Sequence, residues 1–260
     1  MEEPLVERVA HGAVTILTMR FAPYNLIGPR LTTAIAFHLE EARRSGARAV
    51  IIRSGLRHFS AGAEIEMLDG MVKSGGESSL GFDPAGFLES LEAFPLPIVA
   101  SVHGVCVGGG LELALACDYV VAAESSRLGS VEVTLGLHPL MGAVQRYAQR
   151  VGALRAKELA MLGRRYDAAT LERWGLINLV VASEQLEAAT LSVAEELANG
   201  PTAAHAATKR LVQIAVNEGV AAADRAMADV QRGIWSTADV ATGLKSYLAS
   251  GPGVARFEGH

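Results

Sequence analysis

Residues 102–118 read VHGVCVGGGLELALACD, and the way this stretch divides decides the fold. Together with its N-terminal flank it forms an apolar block over 98–117, close to the length of a membrane span. Three consecutive glycines, Gly108, Gly109 and Gly110, split that block into a Val-rich half and a Leu/Ala-rich half. A buried strand that turns sharply into a buried helix produces this pattern. Glu112 would also be costly at the middle of a bilayer. The block is therefore read as strand, turn and helix, and no membrane partner is expected.

The flanking sequence alternates in the same way. Residues 5–9 and 13–19 are β-type runs around His11-Gly12, as in a hairpin. An amphipathic helix is predicted over 29–44 and ended by Gly46. Ala49-Val50-Ile51-Ile52 follows as a strand that must be covered on both faces. A loop at 54–62 leads to a helix from Ala63, and strand 97–102, helix 109–116 and strand 118–123 continue the series. This predicts an α/β architecture of stacked sheets lined by helices. Residues 73–84, rich in Gly and Ser, read as a surface excursion, more simply a solvent loop than a lid. From Leu140 the pattern becomes mostly helical, with breaks at Pro201 and Gly219. The expected division is a catalytic core over 1–195 and a C-terminal helical region over 196–260, whose small apolar faces need the body or a neighbouring subunit.

Charge and composition narrow the function. Lys and Arg number 23 against 28 Asp and Glu, a net charge of −5 over 260 residues, which excludes a strongly basic nucleic-acid binder. Half of the residues are hydrophobic, enough to form a packed core rather than an intrinsically disordered chain. Met1-Glu2-Glu3-Pro4 carries acid where a secretory signal would carry Lys or Arg. Cys106 and Cys117 stand in one apolar region, as reduced thiols would, so a cytoplasmic location is expected.

Several common sites are missing from the sequence. The glycines do not make G-x-G-x-x-G, and Leu111 follows them where a P-loop needs Lys. No Ser lies in G-x-S-x-G, and no two of the seven His stand four apart, so neither a nucleophile elbow nor a zinc-hydrolase helix is expected. What remains is the glycine triplet followed by Leu111-Glu112. Unbonded amides in the first turn of a helix can receive an anionic oxygen, which is half of an oxyanion hole. Close strand–helix packing explains the glycines equally well, and both readings stay open. Glu112 is either a first-turn Glu stabilised by the helix dipole or a desolvated acid/base, and its apolar neighbours favour the second. Glu132, in LGSVEV (128–133), read alone is a solvent-facing strand residue.

Three segments, in order, carry a resemblance: Phe59-Ser60-Ala61-Gly62-Ala63-Glu64, the stretch 102–118, and LGSVEVTLGLHPLMGAVQR at 128–146. They resemble the crotonase, or enoyl-CoA hydratase/isomerase, superfamily, and the likeness runs over nearly the whole chain, including Asn25, Lys209, Asp239 and Gly243. The resemblance implies a crotonase-like stacked β-β-α spiral core with a C-terminal helical region. It implies an acyl-CoA thioester substrate whose oxygen is gripped by the amides of Ala61 and Gly109. Glu112 would take a proton from water and Glu132 would give one to the α-carbon. The adenosine end would run along Ala61, Ala63 and Ile65, and Leu140 would border the acyl group. No metal is implied, nor any cofactor beyond the coenzyme A moiety of the substrate. A homotrimer or dimer of trimers is implied.

The sequence departs from the family pattern at Pro139-Leu140-Met141-Gly142-Ala143, where a P-G-x-G-G-like run is usual, and at His138. Near the end, Thr242 stands where a glutamate is common, and Ser250-Gly251-Pro252-Gly253 replaces a basic pair. The function expected is enoyl-CoA hydration. Double-bond isomerisation is the nearest alternative, and a non-catalytic acyl-CoA-binding protein is the alternative of another class.

Overall fold

In the computed structural model, which describes residues 4–75 and 80–260, the runs around Gly12 pair as an antiparallel hairpin of β1 (Val6–His11) and β2 (Val14–Met19). Gly12 makes the turn at φ +58°, a left-handed conformation that a residue without Cβ adopts freely. Residues 1–3 and residues 76–79 of the expected surface excursion lie outside the described residues.

Five further strands complete the first turns of the fold: β3 (Ala49–Ser54), β4 (Ile98–Val102), β5 (Val105–Val107), β6 (Tyr119–Ala123) and β7 (Arg127–Gly129). With β8 (Tyr166–Asp167) and β9 (Leu179–Val181) they form two sheets. The larger has the order β1-β2-β3-β4-β6-β9, parallel from β2 onward, and the smaller has the order β5-β7-β8. The chain puts β4 in the large sheet, β5 in the small one, and then enters α4 (Gly109–Ala116). It repeats the move with β6, β7 and α5 (Ala143–Leu162). One turn earlier, β3 leads to Ser60, bridged to Cys106 of β5, and then to α2 (Ile65–Lys73). Each turn is thus a β-β-α unit stacked on the last, which is the expected spiral.

The central strands β3 and β4 of the large sheet are covered on both faces because their residues are mostly apolar on both sides. Val50 and Ile52 of β3 face the main core, which includes Leu31 and Ile35 of α1 (Pro29–Arg44). Ala49 and Ile51 face the other way, against Leu186, Ala194 and Ala198 of α7 (Leu186–Asn199). Helix α1 spans the predicted residues, and Gly46 follows its end at φ +82°.

Two local details differ from expectation. Helix α2 starts at Ile65 rather than Ala63, because the backbone around Ala63 pairs with Ile27. A helix not read from the sequence, α3 (Pro84–Glu92), follows the excursion; Asp83 caps it by accepting from the Gly86 amide. The region beyond Leu140 is mostly helical as expected, and α6 (Ala168–Arg173) stands there between the short strands β8 and β9.

The 195/196 division falls inside α7, and the chain leaves that helix at Gly200-Pro201. Three helices follow, α8 (Thr202–Glu218), α9 (Val220–Gln231) and α10 (Ala238–Ser250). Lys209 of α8 pairs with Asp118 at 2.6 Å, and Arg48 donates to the carbonyls of Gly200 (2.6 Å) and Phe257 (2.7 Å). Among the described residues no helix is long and apolar enough to cross a membrane.

Candidate active site

Gly108 caps α4 at φ +53°, and the chain turns at once into Gly109. The amides of Leu111 and Glu112 fold back onto the Gly108 carbonyl at 2.8 and 3.0 Å. The Gly109 amide has no acceptor among the described residues, as expected for the first turn of a helix. Packing also requires these glycines. A Cβ on Gly110 would stand 2.5 Å from Cβ of Ser60, and one on Gly109 would stand 3.2 Å from Cβ of Ile27. The triplet thus leaves the Gly109 amide unbonded and lets the backbone pack closely at the same time.

The second amide is not where the sequence reading put it. The Ala61 N–H donates to the Tyr24 carbonyl at 3.1 Å and is already used. Two residues on, Ile27 donates to Gly62 O at 2.8 Å and accepts from Glu64 N at 3.0 Å. In such a parallel bridge the intervening residue, Ala63, turns its own amide away from the partner. That amide has no acceptor among the described residues. Ala63 thus offers the free N–H expected of Ala61.

Asn25 explains why this loop holds its shape. Fully buried, it donates to Ser54 Oγ (2.8 Å) and to the Phe59 carbonyl (3.1 Å) and accepts from the Phe21 amide (2.8 Å). Ser60 adds a bond to the Asn25 carbonyl at 2.7 Å. Buried polar groups joined this completely fix a single loop conformation.

Glu112 is 2% exposed, and its Oε1 accepts from the amides of Met141 (3.0 Å) and Ala143 (2.9 Å). Burial pushes its carboxyl up to about 7; the Ala143 amide pulls it down, Glu132 raises it, and the Met141 amide and Arg146 pull it down. Glu132 is not on a strand. It opens a 3-10 turn, Glu132–Leu135, and both carboxylate oxygens are buried without a hydrogen-bond partner. Burial raises its carboxyl too, opposed by nearby dipoles of its own amide, Val131 and Ser130 and by His138. Ser130 Oγ and Tyr147 Oη lie 2.7 Å apart behind it.

Ala61, Ala63, Gly109, Glu112, Glu132 and Leu140 line one cavity of about 80 Å³, and Ile65 stands at its rim, 53% exposed. Leu68, Phe82, Leu137 and Met141 supply apolar wall. The seven residues expected to bind or act on substrate, Ala61, Ala63, Ile65, Gly109, Glu112, Glu132 and Leu140, therefore meet in one place, with Ala61 contributing wall rather than a donor. A larger cavity of about 730 Å³ opens between α3, α5 and α8, but neither glutamate lines it. The sequence reading missed the amides of Met141 and Ala143, because a backbone donor leaves no mark in residue type. It quoted Asn25 and Ser60 without a role.

A stacked β-β-α spiral whose glycine turn, free amides and paired buried glutamates share one cavity defines a crotonase-fold protein. A family model described as enoyl-CoA hydratase/isomerase matches residues 10–254, and the chain belongs to that family. It is 32% identical over 201 residues to a probable enoyl-CoA hydratase of Rhizobium meliloti, covering 77% of each chain. It is 35% identical over 165 residues to the carnitinyl-CoA dehydratase of Citrobacter koseri, covering 63% of this chain and 62% of that one. A solved enoyl-CoA hydratase from Bacillus anthracis superposes with a TM-score of 0.87 at 27% identity, over 98% of this chain and all of that one.

Proposed function

We propose that the chain is an enoyl-CoA hydratase, adding water reversibly across a trans-2-enoyl-CoA to give the 3-hydroxyacyl-CoA. The observation that carries this reading is the meeting of two buried glutamates, Glu112 and Glu132, in one cavity with the free amides of Ala63 and Gly109. The two amides receive the thioester oxygen. As the double-bond electrons shift, that oxygen gains negative charge, and donors fixed beforehand favour it over the neutral ground state. Losing one such donor costs roughly 3–4 kcal/mol in activation free energy.

Glu112, held by two amides at one oxygen, takes the proton as water attacks the β-carbon. Glu132, whose burial favours the protonated form, gives its proton to the α-carbon. The net change is H and OH added across the alkene, and the pair resets when a proton returns from Glu112 to Glu132. Two acids sharing one site titrate as a pair. The apolar wall suits a hydrocarbon acyl group, and the backbone at Ala61, Ala63 and Ile65 suits the adenosine end. Leu244, Tyr247 and Leu248, exposed on α10, support assembly as a trimer or dimer of trimers.

The test is the absorbance of the 2-enoyl thioester after crotonyl-CoA is added. Hydration removes it. Gain of that absorbance from a 3-enoyl-CoA, without hydration, would instead identify an isomerase. Calorimetric binding of CoA esters with no turnover would identify a binding protein.

A further inference from the structure

The loop that holds Glu112 is itself braced from behind by a pair of charges. Arg146, in the first turns of α5, donates from Nη1 to the Gly142 carbonyl at 3.1 Å. Gly142 lies between Met141 and Ala143, whose amides grip Glu112 Oε1. The other edge of the guanidinium is bidentate on Glu92, with Nε to Oε1 and Nη2 to Oε2 both at 2.7 Å. The two side chains are only 14% and 25% exposed. Gly142 adopts φ +107°, and a Cβ there would stand 2.4 Å from Arg146 Nη1, so the contact needs glycine. Glu92 ends α3, whose first residue, Pro84, lines the active cavity.

We propose that Arg146, oriented by Glu92, is a positioning residue for Glu112: by fixing the Gly142 carbonyl it aims the two flanking amides at one oxygen of the carboxylate. A planar fork held at two points fixes direction as well as distance, which an ammonium cannot do. The proposal rests on reading Glu112 as the base that activates water. An ion pair serving only to join α3 to α5 would affect stability and leave the chemistry of Glu112 alone.

Among the described residues, the titratable groups facing Glu112 are Glu132 from the 3-10 turn and Arg146 and Tyr147 from α5; Arg150, one turn further along α5, lies near Arg146 and near Glu92 of α3. Removing Arg146 takes away a positive charge that favours the carboxylate and loosens two donors to it. Both effects move ionisation of Glu112 to higher pH.

The test compares Arg146→Gln, Arg146→Lys and Glu92→Gln with the wild type on crotonyl-CoA. The expected result for Arg146→Gln is a loss in kcat of about tenfold to hundredfold, with KM within about threefold, and an acidic limb displaced to higher pH. Arg146→Lys restores little, and Glu92→Gln shifts kcat and the limb in the same direction by less. If Arg146→Gln does not fold, Glu92→Gln carries the test, since it keeps the guanidinium and frees its orientation. Wild-type kcat and an unmoved limb in the folded variants, even with lowered stability, overturn the proposal. A wild type inert toward every 2-enoyl-CoA would overturn the hydratase reading, and the positioning role with it.

Discussion

Oε1 of Glu132 lies over Gly108, so close that a Cβ added to that glycine would stand 3.2 Å away. The cap of the helix that carries Glu112 is therefore also the floor on which the second carboxylate rests. Gly108→Ala adds that methyl at a left-handed φ of +53°. We expect it to displace Glu132 and lower kcat by about tenfold or more, with destabilisation of about 1–2 kcal/mol. Steady-state kinetics and denaturant unfolding on one preparation check both.

Removing either acid should stop hydration by different routes. Glu112→Gln keeps an oxygen for the Met141 and Ala143 amides but cannot take a proton, and Glu132→Gln cannot give one. Each should lower kcat by about a hundredfold or more, while the affinity for a CoA ester stays within about threefold. Full turnover by Glu112→Gln beside an inactive Glu132→Gln would contradict the two-acid scheme.

The rate should depend on pH near neutrality. With the Glu112 carboxyl pushed up to about 7, the form able to accept a proton grows as pH rises through that value. A kcat profile falling on the acid side near pH 7 is the expected outcome. A profile flat from pH 5 to about 8 would show that Glu112 is not the base.

The same raised carboxyl is a cost to the fold above neutrality. Its folded value lies above the ordinary 4.5, so the folded state binds more protons between 4.5 and about 7, and stability falls as pH rises through that window. Gln does not titrate. Glu112→Gln should therefore be more stable than the wild type at about pH 8, by up to about 3 kcal/mol, and lose that advantage toward about pH 5. Urea unfolding at the two pH values decides it.

Arg48 ties the C-terminal tail to the body through Gly200 O, Phe257 O and Thr202 Oγ1, the last at 3.2 Å. Asp239 holds the same tail by accepting from the amides of Glu258 (2.8 Å) and Gly259 (3.0 Å). Arg48→Ala should cost about 2–3 kcal/mol and expose the bond after Arg256 to trypsin. Limited proteolysis followed by mass measurement reads this directly.

Much of the fold was legible because its signals are local. Helix α4 could be bounded at 109–116 since a glycine triplet stops a strand and an apolar run continues it as a helix. Strands such as β3 could be placed because both of their faces are apolar. Helix α3 escaped notice because its N-terminal signal, Asp83-Pro84, sits beside a glycine- and serine-rich stretch that reads as loop. The shift of the free amide from Ala61 to Ala63 was illegible for another reason. Which peptide is spent depends on the pairing of Ile27 and the position of Tyr24 O, both distant in sequence.

The sequence by itself determined the residues that can do chemistry: Glu112 in an apolar helix, a glycine turn before it, and a second glutamate in a recognisable segment. Hydrophobic periodicity and glycine placement are properties of neighbouring residues, so they survive without coordinates. Only the tertiary structure decided that Glu132 returns to Gly108, that Ala63 keeps its amide, and that Arg146 stands behind the Glu112 cradle. Those relationships depend on how successive turns of the spiral stack, and stacking is set by long-range packing rather than by any local pattern.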